Sequence, residues 1–232
     1  MKALVLSSGG VDSSTCLALA VEKYGAGEVL SLAMYYGQKH DKELLASRKV
    51  AAYYGVAHKE LNLASIFADS DCTLLAGRGE IPHGDYATQL EAAEGAAVST
   101  YVPFRNGLFL ASAASMALAN GCGGIYYGAH ADDAAGNAYP DTSTAFNEAM
   151  NVAIVEGSGH ALHIEAPFIH SSKADVVAQG LALGVPYGLT WSCYEGGVHP
   201  CGQCATCIDR AAAFAANGVN DPALEGGCDD EQ

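Results

Sequence analysis

Met1-Lys2-Ala3-Leu4-Val5-Leu6-Ser7-Ser8-Gly9-Gly10-Val11-Asp12-Ser13-Ser14-Thr15 decides the fold. The apolar run at 2–7 suits a strand buried on both faces, as in a parallel sheet. Residues 12–24 (DSSTCLALAVEKY) read as a helix that Gly25 stops. The turn between them, Ser8-Gly9-Gly10-Val11-Asp12-Ser13-Ser14, therefore joins a strand to a helix N-terminus. Glycines there let the backbone approach an anion, and the free N–H groups and the helix dipole hold negative charge. Ser8, Ser13 and Ser14 add hydroxyl donors. The turn is neither GxxxxGK[ST] nor GxGxxG, so a Walker-type P-loop and a dinucleotide fingerprint are both excluded. The alternative is an ordinary turn in which Asp12 or Ser13 is the N-cap.

The same rhythm continues outward. Strands are expected at 28–35, 57–63, 124–129 and 162–168, and helices at 41–54, 106–119, 143–156 and 173–183. That order predicts an α/β protein with a five-stranded parallel sheet and helices on both faces. Two stretches break it. Residues 64–101 carry no clear period, and a connection of that length is usually functional. Residues 185–208 are rich in Gly, Pro, Cys and Tyr and read as a metal-stapled loop. The whole chain, 1–232, is read as one domain, with 185–217 as a cysteine-bearing segment and helix within it.

Of eight cysteines, four form Cys193-x7-Cys201-x2-Cys204-x2-Cys207. Four thiolates close a tetrahedral site with no open position, which implies a structural metal, zinc before an iron–sulfur cluster. Cys16, Cys72, Cys122 and Cys228 read as small buried hydrophobes. The net charge of −15, from 26 acidic and 11 basic residues, disfavours nucleic acid and anionic membranes as partners. No window is apolar enough to span a bilayer. The opening apolar run is too short for a signal peptide, so a cytoplasmic setting is expected.

The SGGxDS turn resembles the pyrophosphatase loop of the N-type ATP pyrophosphatases, which implies a fold like the adenine nucleotide alpha hydrolases. It also implies cleavage of ATP to AMP and pyrophosphate, with residues Leu6 to Thr15 (Leu6, Ser7, Ser8, Gly9, Gly10, Val11, Asp12, Ser13, Ser14 and Thr15) at the nucleotide. Within that superfamily the chain, from Ser8 to Arg210, resembles the 7-cyano-7-deazaguanine synthase (QueC) family. The landmarks are Tyr36-Gly37-Gln38, Val102-Pro103-Phe104-Arg105-Asn106, Gly128-Ala129-His130-Ala131-Asp132-Asp133, Tyr139-Pro140-Asp141, Ser172-Lys173, Trp191-Ser192-Cys193-Tyr194 and the run from Cys201 to Cys207. Phe104 stands where the family often has Gly, and Thr142 where it often has Cys.

The resemblance implies conversion of 7-carboxy-7-deazaguanine and ammonia to a nitrile with two ATP, through an acyl adenylate and an amide. No glutaminase-like segment accompanies it, so ammonium is the expected nitrogen source, and a homodimer the expected assembly. Asp12, Ser13, Arg105 and Lys173 are the expected catalytic set, with Asp12 on phosphate or on Mg²⁺. Arg105, one of four arginines, pairs with the substrate carboxylate or a phosphate, or else forms a surface ion pair. Lys173 opens a helix, where a cation opposes the dipole, which implies a nearby anion or else a solvated lysine. Tyr36, Arg105, Asn106, Asp133 and Asp141 are the expected substrate contacts, the two carboxylates taking the guanine-like N–H edge or else capping loops. His130 is read as a proton-transfer group or a structural histidine, and Tyr36 and Phe104 as base-stacking or core rings. Two other classes remain: a tRNA-modifying member of the superfamily, which would need a basic RNA surface, and a non-enzymatic zinc-stapled module.

Overall fold

The computed structural model describes residues 1–93, 96–132 and 138–225. Five strands, β1 (Ala3–Leu6), β2 (Val29–Tyr35), β3 (Ala57–Asn62), β4 (Gly124–Tyr126) and β5 (His163–Glu165), form one sheet in the order β3-β2-β1-β4-β5. Every pairing is parallel. The helices are α1 (Val11–Tyr24), α2 (Lys42–Tyr54), α3 (Tyr86–Ala92), α4 (Arg105–Ala119), α5 (Thr144–Gly157), α6 (Lys173–Ala182), α7 (Ala205–Ala216) and α8 (Pro222–Glu225).

β1 is central because all four of its residues are apolar and buried. The strand period of two sends Leu4 and Leu6 into one core and Ala3 and Val5 into the other. The first core is covered by α4 and α5, through Leu110, Ala113, Ala117 and Ile154. The second is covered by α1, α2, α6 and α7, through Leu17, Val50, Val176 and Phe214. Truncating a fully buried leucine such as Leu4 or Leu32 would cost about 2–5 kcal/mol. The edge strand β3 is mostly exposed. Its Lys59 and Glu60 are charges of the kind that keep an open edge from pairing with another chain.

The chain runs outward from β1 to β2 and β3 on one side, then returns to β4 and β5 on the other. Strand order reverses between β1 and β4, which opens a crevice at their carboxyl ends. That is where Ser7–Gly10 and Tyr127–Ala129 emerge.

Four expectations need correction, the first being the strand expected at 162–168, which forms only over His163–Glu165. The strand expected at 124–129 ends at Tyr126, because Gly128 turns in against Asp12; a Cβ at 128 would lie 3.1 Å from the Asp12 carbonyl carbon. The aperiodic stretch 64–101 contains α3, capped by the Asp85 side chain, which accepts from the Thr88 N–H at 2.8 Å. The loop reading of 185–208 ends at Cys204, the N-cap on which α7 begins at Ala205. A zinc-type loop whose last two cysteines sit in a helical turn satisfies its backbone there without further ligands.

Candidate active site

The turn after β1 is held from behind. Ser7 is buried, its carbonyl accepting from the Ser47 hydroxyl at 2.8 Å. Gly9 has φ +82°, and a Cβ there would lie 2.5 Å from both Glu43 O and Ser47 N, so only glycine lets the turn lie against α2. From the other side the Trp191 N–H donates to Gly9 O at 2.9 Å. Helix α1 starts at Val11 with Gly10 as N-cap and no capping side chain. The ordinary turn capped by Asp12 or Ser13 is therefore not what forms, and the first-turn N–H groups keep their capacity for an anion.

Loop, helix and sheet together wall a cavity of about 220 Å³. Leu6, Ser7, Ser8, Gly10, Asp12 and Ser13 line it. Ser8 Oγ lies 3.1 Å from Ser13 Oγ, and the Ser13 hydroxyl donates to Gly10 O at 3.3 Å. Val11 and Thr15 turn into the protein instead: Val11 joins the core, and the Thr15 hydroxyl meets Tyr187 Oη at 2.8 Å. Ser14 is fully buried, its hydroxyl without a partner among the described residues.

A charged cluster closes this end of the cavity. Lys173 Nζ donates to Asp12 Oδ2 at 2.6 Å, 161 positions away in sequence. The same ammonium lies 3.4 Å from His130 Nε2 and 4.0 Å from Asp209 Oδ2. The anion expected beside Lys173 is thus partly supplied by the protein. Asp132 Oδ2 accepts from the Lys173 N–H at 2.8 Å, which makes it a cap of α6. Burial pushes the Asp12 carboxyl up, but the Lys173 ammonium and His130 overcome it and hold the group below its ordinary value. At Asp209 burial wins and the carboxyl is raised, with Asp12 and Asp132 adding to the rise against Lys173 and His130.

The opposite end is aromatic. Arg105 opens α4 and lines the cavity, so it is no surface ion pair. Its Nη1 donates to Tyr36 Oη at 3.3 Å, and its guanidinium carbon lies 5.1 Å from the Tyr36 ring centre and 5.8 Å from that of Phe109. Tyr86, Tyr139 and Tyr194 complete the wall. Asn106 also lines it, while its N–H donates to Asp141 Oδ2 at 2.8 Å. Asp141 therefore caps α4 from behind the wall, its capping alternative, and is not among the described lining residues. Asp133 lies outside the described residues. Phe104, the residue before Arg105, has φ +54° and is 58 % exposed, packing on Phe146 with ring centres 5.8 Å apart and covering Gly107 rather than lining the cavity. Its backbone region favours glycine and costs other residues about 1–3 kcal/mol, which gives a physical reason for the glycine often found at this place in the resembling family.

The Sγ atoms of Cys193, Cys201, Cys204 and Cys207 all lie within 4.8 Å of one another. A tetrahedral ion with Zn–S bonds of about 2.3 Å needs sulfurs roughly 3.8 Å apart; Cys201 and Cys207 are 4.0 Å apart. Backbone N–H groups of Cys201, Gln203 and Cys204 point at these sulfurs at 3.3–3.4 Å, an arrangement suited to thiolates. Hydrogen bonds from Cys204 and Cys207 hold the Cys193 thiol well below its ordinary value. The four residues fit a structural metal. Cys16, Cys72 and Cys122 are buried as expected; Cys228 lies outside the described residues.

Several lining residues carried no assigned role in the sequence: Gln38, Glu43, Tyr86, Tyr139, Tyr194, Thr206 and Asp209. Gln38, Tyr139, Tyr194 and Thr206 lie within the quoted landmarks and Asp209 two residues beyond the last, whereas Glu43 and Tyr86 stood in none of them. Buried Arg210 was missed as well. It binds both Asp221 oxygens at 2.7 and 2.8 Å and Thr190 Oγ1 at 2.8 Å, tying the cysteine segment to the end of the chain.

The model of the family described as "Queuosine biosynthesis protein QueC" matches residues 2–218. A relative from Archaeoglobus fulgidus named 7-cyano-7-deazaguanine synthase is 41 % identical over 97 % of this chain and 90 % of its own. One of the same name from Marinomonas is 38 % identical over 95 % and 96 %. Among solved structures, NMN synthetase from Francisella tularensis superposes with a TM-score of 0.53 at 14 % identity, covering 97 % of this chain and 81 % of that one, which shows a shared fold. A family match over nearly the whole chain, on a parallel sheet whose switch-point crevice carries the SGGxDS turn, places this chain in the QueC family.

Proposed function

We propose that the protein converts 7-carboxy-7-deazaguanine and ammonia to 7-cyano-7-deazaguanine, consuming two ATP and releasing two AMP and two pyrophosphates. The observation that carries this reading is one cavity with two unlike ends: an uncapped helix terminus beside Lys173, and an aromatic end holding a buried arginine.

The chemistry assigns the ends. A carboxylate oxygen attacks the α-phosphorus of ATP and pyrophosphate leaves. The α1 N–H groups and the Ser8 and Ser13 hydroxyls receive the departing charge, and Lys173 neutralises it. Ammonia displaces AMP from the acyl adenylate to give the amide. The amide oxygen attacks a second ATP, and loss of AMP and a proton leaves the nitrile. Asp12 and Asp209 are the carboxylates placed to hold Mg²⁺, which would neutralise phosphate charge when bound. Arg105 faces the substrate carboxylate through a fork fixed by Tyr36.

The four cysteines hold zinc as a staple without chemistry of its own. Residues of the segment 185–217, among them Trp191, Tyr194 and Asp209, line both ends of the cavity, so the chain works as one unit. No helix among the described residues is long and apolar enough to cross a membrane, and a reducing cytoplasm suits four thiolates. A homodimer is the proposed assembly. The acidic balance of the chain disfavours the tRNA-modifying alternative. Incubation with ATP, ammonium and the carboxy-deazaguanine, followed by mass spectrometry, should show the amide, the nitrile, AMP and pyrophosphate. ADP as the main nucleotide product would overturn the reading.

A further inference from the structure

Gln38 is 6 % exposed, yet it lines the cavity. Its Oε1 accepts from the Tyr36 N–H at 2.9 Å. A backbone N–H can only donate, so this bond fixes which side of the amide is oxygen and commits Nε2 to the other direction. Nε2 is buried with no partner among the described residues. A buried donor left unmade costs about 1–3 kcal/mol, so a site that keeps one has a ligand acceptor to meet it.

The residues around it narrow that acceptor. Gln38 is bonded to Tyr36, and Tyr36 to Arg105, which places the amide with the aromatic end. Charge decides between the two ligands. Adenine is neutral and the charge of ATP lies on its phosphates, whereas a buried guanidinium calls for an anion, which the carboxy-purine brings. Among the described lining residues Asp12 and Asp209 belong to the Lys173 cluster, so Glu43 is the carboxylate left for the aromatic end. Glu43 makes no direct ion pair with Arg105 among the described residues, so its oxygens remain available as acceptors. Burial raises its carboxyl, while Arg105 and His40 pull it back down.

Resting on the functional reading above, we infer that Gln38 Nε2 donates to the 6-oxo oxygen of the deazapurine and that Glu43 accepts from its ring N–H groups. The pair would distinguish a 6-oxo from a 6-amino purine, because a 6-amino group offers a donor to a donor. It takes the edge-reading role that the sequence suggested for Asp141, whose Oδ2 caps α4 and which is not among the described residues lining the cavity.

The test compares 7-carboxy-7-deazaguanine with its 6-amino counterpart, titrating ATP in parallel. Gln38→Glu keeps the acceptor for Tyr36 but offers the 6-position a carboxylate oxygen. It should lower kcat/KM for the 6-oxo acid at least about tenfold, move the ratio toward the 6-amino acid, and leave KM for ATP unchanged. Gln38→Met, which adds no buried charge, should lose the discrimination without reversing it. Glu43→Gln should raise KM for the deazapurine and not for ATP. Equal losses on both purines, an effect confined to ATP, or no effect would each overturn the inference. No turnover of the 6-oxo acid by the unaltered enzyme would instead sink the functional reading, and this inference with it.

Discussion

The two ends of the cavity hold their charges differently. At the helix-terminus end, Lys173 is shared among Asp12, His130 and Asp209, 2.6 Å from Asp12 Oδ2 and 4.0 Å from Asp209, while Asp12 Oδ1 makes no hydrogen bond among the described residues. A triphosphate entering there would exchange one set of ion pairs for another. At the aromatic end Arg105 has a phenol and two ring faces but no direct carboxylate partner among the described residues. On the proposed function, the full partner of that cation is the ligand. In the proposed reaction the first end would serve both adenylations alike, while the second would distinguish the charged acid from the neutral amide.

The comparison breaks most sharply at Asp12. Asp12→Ala should lower turnover about 10²–10³-fold for the acid and for the separately supplied amide alike, with little change in melting temperature. A loss confined to the acid would move Asp12 to the wrong end. The ion pair should also survive acidification. The folded pKa of Asp12 lies below its unfolded value of 3.8, so its contribution is present above pH 3.8 and is lost only as pH falls through the lower folded value.

Cys204→Ser tests what the ends share, since the cysteine segment contributes to both. Bound zinc should fall, and thermal stability with it, because metal binding is folding free energy; a loss of about 2–3 kcal/mol, or roughly 5–10 °C, is expected. Purified wild-type protein with under about a tenth of an equivalent of zinc, and no iron, would remove the staple altogether.

Arg105→Lys sharpens the contrast. It keeps the charge and loses the fork, so turnover of the acid should drop about 10–100-fold and that of the amide less. Equal losses would put Arg105 on the ATP phosphates.

The smallest effect concerns Asp209. Its folded pKa is raised above 3.8, so the ionised form is penalised in the fold at neutral pH, and stability from this group grows as pH falls through the folded value. Asp209→Asn should therefore raise the melting temperature near pH 7 by about 2–4 °C, with activity reduced if Mg²⁺ depends on it. A lower melting temperature would show that the charge earns its place through Lys173.

By itself the sequence determined the alternation of strands and helices, the strand-to-helix turn and the four cysteines. Each is written in local periodicity or in residues a few positions apart, and the backbone obeys such signals whatever surrounds it. Boundaries moved where a distant contact intervened, as at Gly128 against Asp12. Only the tertiary structure decided the rest. It put Lys173 on Asp12, turned Thr15 toward Tyr187, and set Asp141 Oδ2 to cap α4 while leaving Gln38 Nε2 buried without a partner among the described residues. A carboxylate's role depends on which donor reaches it first. For Asp141 that donor is the Asn106 N–H, 35 positions back along the chain, and no local pattern records a choice made by folding.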